Sequence, residues 1–241
     1  MTTKALLVLS QQCKMASEEV HMMSNVLLYG LLNNIRQYIG CLFQLNVNIA
    51  ELDVTVSLAQ VSSIPERVRP TFGSALKLQN SSHPIMEICG FDRPVPNDVS
   101  ATVPHNFHVI TGANMSGKST YLKQIVLLQI MAQIGCYVPA TMAEFRIANR
   151  IFCKLSFRDD IECNASTFVL EMKEVQYILR SVTASSLIIL DELCRGTTSE
   201  EGCSIAWTIC ERLLATSAFT FATTHHAILT KLAHFYHNVT K

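Results

Sequence analysis

The chain has 241 residues, of which 49% are hydrophobic and 16% charged. It can therefore bury a sizeable core, is long enough for one large domain or one and a half, and is not a disordered segment. Lys plus Arg and Asp plus Glu each number 19, so the formal net charge is zero, which excludes a protein that grips nucleic acid along its whole surface through a basic excess.

Residues 3–62 carry an apolar stripe at helical spacing, through Leu6, Leu9, Cys13, Ala16, Val20, Met23 and Leu27 and then Leu32, Ile35, Ile39, Leu42, Leu45, Ile49, Leu52, Val56 and Ala59. No proline interrupts it before Pro65. One helix of that length would reach about 90 Å, so a kink or break is expected, with Gly30 and Gly40 as its places. Two readings stand side by side: a helical bundle or coiled-coil piece, and a lever carrying motion out of the domain that follows.

Prolines cluster from Pro65 to Pro104 among short β-rich pieces. Phe107–Ile110 is then a four-residue apolar strand running into Thr111-Gly112, and 119–134 has helix periodicity through Leu122, Ile125, Leu128 and Met131. A second helix is expected over 165–182, a buried strand over 186–190, a third helix over 200–214 and another strand over 218–223. Strands alternating with helices give an α/β class with a central, mostly parallel sheet covered on both faces. The domain division expected is 1–65, helical, and 66–241, α/β.

Apolar runs fall short of the about 20 residues that cross a bilayer, and the N-terminus has no signal-peptide pattern, so no membrane partner is expected. Nine cysteines without CxxC pairs do not form a disulfide framework. Cys13, Cys41, Cys136, Cys203 and Cys210 lie in apolar-periodic segments and read as buried hydrophobes in a reducing compartment, cytosol or nucleus. The group His225, His226, His234 and His237 has no cysteine or carboxylate at ligand spacing, so a metal site there is not expected.

The chemistry-bearing stretch is Gly112-Ala113-Asn114-Met115-Ser116-Gly117-Lys118-Ser119, which fits G-x-x-x-x-G-K-[ST]. Its glycines let successive backbone N–H groups turn toward a phosphate, and the helix that follows adds its positive end. Lys118 supplies a charge for the β and γ phosphates, and the Ser119 hydroxyl a ligand for Mg2+. Standing between a strand and a helix, the motif predicts nucleotide binding. Leu187-Ile188-Ile189-Leu190-Asp191-Glu192 supplies the other half: an apolar strand delivering Asp191 to the strand's C-terminal edge, to hold Mg2+, with Glu192 beside it to polarise an attacking water. The plain alternative for that acidic pair is a solvated helix cap.

These stretches resemble the MutS family of ATPases. The resemblance rests on GANMSGKSTYLKQ at 112–124, STFVLEM at 166–172, LDELCRGTTSEEG at 190–202, Thr224-His225, and ELDVTVSLA at 51–59, which is similar to the family's lever helix. GCLFQL, VRPTF, SHPIMEI and DDIECNASTF are most similar to its eukaryotic meiotic branch. The resemblance implies a P-loop NTPase fold of the ABC ATPase kind, preceded by the end of a long helical lever.

It also implies composite nucleotide sites in a dimer. Gly112, Ala113, Asn114, Met115, Ser116, Gly117, Lys118, Ser119 and Thr120 would hold phosphates, with Ser119 and Asp191 at the metal. Of the catalytic residues, Glu192 would stand at the water and His225 on the switch histidine that senses the γ phosphate, so that the nucleotide implied is ATP. Pro94, Val95 and Asn97 match the segment near the adenine, and His83-Pro84 the family's His-Pro. Ser166 would reach the partner's γ phosphate in trans, and Arg195 to Thr198 match the subunit contact. Taken alone, Ser166 reads as a helix cap, and His225 equally as a core histidine. The implied partner is another MutS homologue, the fifth of the eukaryotic set. DNA would be bound through clamp and mismatch-reading domains that are not in this sequence, which also stops short of the family's helix-turn-helix element. The expected setting is the nucleus, in mismatch repair or meiotic recombination.

Four positions depart from the family pattern: Cys194 for glycine, Ala113 for proline, Thr223 for alanine, and Pro94 for an aromatic. Two alternatives follow. One is a nucleotide-gated dimerisation module with little or no ATPase activity. The other, weaker, is a transporter- or chromosome-tether-type ATPase, whose LSGGQ-like signature is replaced here by STFVLEM.

Overall fold

A computed structural model describes residues 3–89, 94–155, 167–194 and 199–241. The chain divides into two compact units, Met1–Ser57 and Leu58–Lys241. The first holds helix α1 (Lys4–Arg36) and most of α2 (Ile39–Ser62). The helices part at Gln37–Tyr38, at neither of the glycines expected to do it. There Gln37 keeps a right-handed helical backbone and the Tyr38 N–H bonds the Ile35 carbonyl at 2.9 Å, a tightening of one turn to i−3 spacing. Gly30 lies within α1 and Gly40 is the second residue of α2. A helical glycine costs about 1 kcal/mol against alanine but removes no backbone donor, so it weakens a helix without having to break it.

Every described residue through Ser57 is exposed, Cys13 and Cys41 included. This corrects their reading as buried hydrophobes. Periodicity marks a face and does not supply the surface that covers it. Cys136 and Cys210 are buried and Cys203 is intermediate, and the eight described cysteines are free thiols.

The second unit carries short strands β1 (Arg67–Val68) and β2 (Thr71–Phe72), then β3 (Leu76–Ser81), α3 (Pro84–Cys89) and β4 (Asn97–Ala101). Next come β5 (Phe107–Ile110), α4 (Lys118–Gln133), β6 (Val138–Pro139), β7 (Met142–Phe145) and β8 (Ile151–Lys154). The chain continues through α5 (Thr167–Ser181), β9 (Leu187–Leu190), α6 (Ser199–Leu214) and β10 (Phe219–Thr223). A 3-10 turn (Ala227–Lys231), α7 (Leu232–Phe235) and β11 (Val239–Thr240) end it.

Five strands pair in the order β11-β5-β10-β9-β8, every pair parallel. The expected α/β class with a parallel sheet is therefore what forms. Antiparallel pairs occur in a separate four-stranded sheet, β2-β7-β3-β4, where β3 pairs so with β4 and β7, and in the β1-β6 ribbon.

The parallel sheet is packed on both faces, and alternate residues of each strand go to opposite cores. Ile188 and Leu190 join Phe107, Val109 and Ala222 against Val175 and Ile178 of α5 and Ala206, Ile209 and Leu213 of α6. Leu187 and Ile189 join Phe219 and Phe221 on the other face, with Leu122, Ile125 and Leu128 of α4 and Leu76, Leu78 and Phe145 of the second sheet. Leu122, Ile125 and Leu128 are fully buried, each contributing about 2 kcal/mol. Helix α4 ends in a Schellman arrangement: Gly135, at φ 88, donates to the Ala132 carbonyl and Cys136 to that of Met131.

At the N-terminal edge of the sheet, buried Asn106 ties three segments. Its Nδ2 donates to the carbonyls of Thr216 and Ala218, both at 3.0 Å, and its Oδ1 accepts from Asn238 Nδ2 at 2.9 Å. Arg146 stacks 3.4 Å from the Phe219 ring centroid and donates to the Ser217 and Ser186 carbonyls. Replacing Asn106 with Leu removes three hydrogen bonds made by a buried amide and is expected to lower stability by about 3 kcal/mol. Urea unfolding followed by far-UV circular dichroism checks this, and a midpoint at the wild-type value would rule out the amide as the tie.

Candidate functional site

Strands β5, β9 and β10 end on one edge because their register is common: Thr223 pairs with Ile110, and Ala222 with Leu190. Beyond that edge the chain leaves β5 toward α4, which packs on one face, and leaves β10 toward Leu229 and Leu232, which pack on the other. Departures to opposite faces from neighbouring parallel strands open a crevice at the strands' carboxyl ends, where α/β sheets take their ligands.

The loop 111–117 fills one side of this crevice and is exposed throughout. Met115 (φ 60) and Gly117 (φ 91) are left-handed, a pattern that turns successive N–H groups toward one concavity. Glycine serves at 117 because that φ strains any L residue. At Gly112 a Cβ would come within 3.1 Å of Ser116 Oγ, so the loop is closed tightly on itself there. Lys118 Nζ donates back to the Gly112 and Ala113 carbonyls, at 3.0 and 2.8 Å, placing its ammonium inside the loop. Helix α4 starts at Lys118, so the N–H groups of its first turn, those of Ser119 and Thr120 among them, open toward the loop that precedes it.

Across the crevice, Asp191 is 3% exposed, which removes the solvated-cap alternative. Its N–H donates to the Lys154 carbonyl at 2.8 Å, and its Oδ1 accepts the Thr223 hydroxyl at 2.6 Å. Thr223 Oγ1 in turn accepts the Glu192 N–H at 3.0 Å. Glu192 is left-handed at φ 51, and its Oε1 lies 2.9 Å from Nε2 of His225. His225 is exposed, so it is not a core histidine. Thr224 N–H donates to the Ile110 carbonyl at 3.1 Å, fixing the His225 segment to the root of the loop.

The turn after β9 is strained a second time at Cys194, φ 64. Glycine is the residue expected here from the resemblance, and the cysteine takes a left-handed backbone with its side chain present. The thiol is buried, and that burial together with the Glu171 carboxylate pushes its pKa up to about 12. The turn is held by Glu171 of α5, whose Oε1 accepts the Cys194 N–H at 2.9 Å and the Lys154 ammonium at 2.6 Å. Lys154 Nζ also donates to the Asp191 carbonyl at 3.3 Å.

The segment Pro94–Asn97 connects to the site through α4. Asn97 Nδ2 donates to the Val95 carbonyl and, at 3.4 Å, to Oε1 of Gln124; Gln124 Nε2 donates to the Ser81 carbonyl and hydroxyl. Tyr121 of α4 donates to the Asp98 carbonyl at 3.0 Å. Pro94 is half-buried, whereas Val95 is exposed. His83 is buried, its Nδ1 accepting the Met86 N–H at 3.3 Å, and burial lowers its pKa. Ser166 and Arg195 to Thr198 lie outside the described residues.

The residues from 112 to 120, Asp191, Glu192 and His225 thus converge on one edge. Lys154, Glu171, Gln124 and Tyr121 complete the surroundings but carried no signal of their own in the sequence. Glu171 stood inside STFVLEM, and Lys154 ends a strand too short for periodicity to reveal. The donors fit a nucleotide with a hard divalent ion: an ammonium in a loop of turned amides, faced by carboxylate and hydroxyl oxygens.

The MutS domain V family model matches residues 108–241. The chain belongs to the MutS family. It is 45% identical over 238 residues to MutS protein homolog 4 of Mus musculus, covering 99% of this chain and 25% of that protein, and 44% identical to the Homo sapiens counterpart over the same spans. To the DNA mismatch repair protein MutS of Petrotoga mobilis it is 40% identical over 242 residues, 99% of this chain and 30% of that one. The chain therefore spans a quarter to a third of these relatives' length. Within this MutS chain the match covers every strand of the parallel sheet except the first residue of β5.

The Lys154–Glu171 pair is only 10% exposed on either side chain. Removing one partner leaves an uncompensated buried charge, so Lys154→Met is expected to cost about 3 kcal/mol. Denaturant titration measures it, and a loss under about 1 kcal/mol would class the pair with solvent-screened surface bridges.

Proposed function

We propose that this MutS-family chain binds ATP with Mg2+ and hydrolyses it, as the P-loop NTPase domain of a DNA clamp. The observation that carries the reading is the convergence, on the carboxyl edge of a parallel sheet, of the 112–120 loop with Asp191, Glu192 and His225. Residues 66–241 form that domain in this reading, and 1–65 the end of a helical lever.

In this assignment the N–H groups of the loop 112–117 and the Lys118 ammonium hold the phosphates. Ser119 and Asp191 hold the metal, which when bound neutralises phosphate charge. Glu192 accepts a proton from, and orients, the attacking water. His225, hydrogen-bonded to Glu192, senses the γ phosphate beside it. Pro94, Val95 and Asn97 take the base. Ser166 acts in trans in a partner subunit's site, and the partner proposed is the fifth MutS homologue. DNA is engaged by other parts of the assembled protein, and the setting proposed is meiotic recombination in the nucleus, with mismatch repair as the other role in the family.

Lys118→Ala is expected to abolish measurable ATP binding by titration calorimetry; retention of wild-type affinity would remove the loop from its role. Glu192→Gln is expected to bind ATP normally and to lower turnover by about a hundredfold or more, since it keeps the shape and loses the base. Steady-state phosphate release checks this, and wild-type turnover would exclude Glu192 as the base.

A further inference from the structure

We infer that Thr223 is a positioning residue for both acidic groups of the site, holding Asp191 and Glu192 through one hydroxyl. The inference rests on the ATPase reading of the site. Thr223 is one of the four positions read above as departures from the resembled pattern, so none of the motif residues supplies this role.

The hydroxyl does two things at once. Its proton goes to Asp191 Oδ1 at 2.6 Å, and its oxygen accepts the Glu192 N–H at 3.0 Å. Both Thr223 and Asp191 are almost fully buried, at 1% and 3% exposure, so solvent competes little for either bond. The arrangement is set by register: Ala222 lies beside Leu190 in the parallel pair, which brings the next residue of each strand together. Glu192 has a left-handed backbone that a non-glycine residue adopts only against strain, and the bond from its N–H to Thr223 is what the surrounding sheet offers to hold it there.

That conformation carries the Glu192 carboxylate to His225, whose own segment continues directly from Thr223. The same oxygen therefore sets the aim of the metal-side carboxylate and of the proposed base. A group acting this way alters the geometry of catalysis more than the grip on the nucleotide.

The experiment compares Thr223→Ser with Thr223→Ala in the full 241-residue chain; the two differ by a single oxygen atom. Steady-state ATP hydrolysis and Mg2+-dependent binding of a fluorescent ATP analogue are measured for both and for the wild type. Thr223→Ser is expected to stay near wild type. Thr223→Ala is expected to lose about tenfold in kcat with KM for ATP little changed, and to need about tenfold more Mg2+ for half-maximal analogue binding. The binding titration reads the effect even where turnover is slow, and melting curves establish that both variants are folded.

Equal kcat and equal Mg2+ midpoints for the Ser and Ala variants, in a chain whose wild type binds the analogue through Lys118, overturn the Thr223 inference and leave the site reading standing. A wild type that binds no analogue, with or without Lys118, overturns the site reading and this inference together.

Discussion

The parallel register of β5, β10 and β9 is the constraint on which the site depends. Strands in such a sheet cannot be joined by hairpins, so each must be followed by a crossing segment on one face or the other. Because the pairing sets Thr223 beside Ile110 and Ala222 beside Leu190, the residues that follow the three strands emerge on one edge. The loop's backbone amides, a buried carboxylate and a histidine come together from residues 111–117, 191 and 225. The apolar layers on both faces, from Phe107 to Leu213 on one side and from Leu76 to Phe221 on the other, hold that register against slippage, since a slip of one residue would send every inward side chain to the wrong face.

The turn after β9 stands out energetically. Two non-glycine residues, Glu192 and Cys194, take left-handed backbones within three positions, each at a cost on the order of 1 kcal/mol. Their N–H groups are bound by Thr223 and by Glu171. These bonds come from different elements, β10 and α5, so the strained conformation is maintained only in the assembled domain. The Lys154–Glu171 pair adds a link from β8. The conformation of this turn is therefore a tertiary property, and a segment with the same sequence would not keep it in isolation.

Much of the fold was legible where a residue pattern is local. Phe107–Ile110 before a glycine-rich turn, the 3.6-residue rhythm of Leu122, Ile125 and Leu128, and the run Leu187–Leu190 ending in acid each announce their element. The phosphate-loop pattern announced itself by residue type and spacing. What escaped is what depends on long-range pairing. Strand β11 is two residues long and exists because Val239 and Thr240 lie along Phe107 and His108. Thr223 reads as a small substitution in a strand, and its two hydrogen bonds follow only once β9 is its neighbour. The stripe from Leu6 to Val56 misled about burial for Cys13 and Cys41 for the converse reason: a periodic apolar face says where a helix could pack and not whether a partner surface is there. Gly30 and Gly40 misled about the break in that helix because permissive backbone is an opportunity to bend and not a cause of bending.

Helix α4 has a property that its hydrogen bonds impose without any motif. Its first residue is Lys118, its Tyr121 hydroxyl is bound to Asp98, and its Gln124 side chain to Asn97. Lys118 and Gln124 are separated by six helical steps, about 9 Å along the axis. One rigid helix thus carries the ammonium at its start and the bonds to the 97–98 strand start one to two turns later, so a displacement of that strand start would be passed along the helix to Lys118.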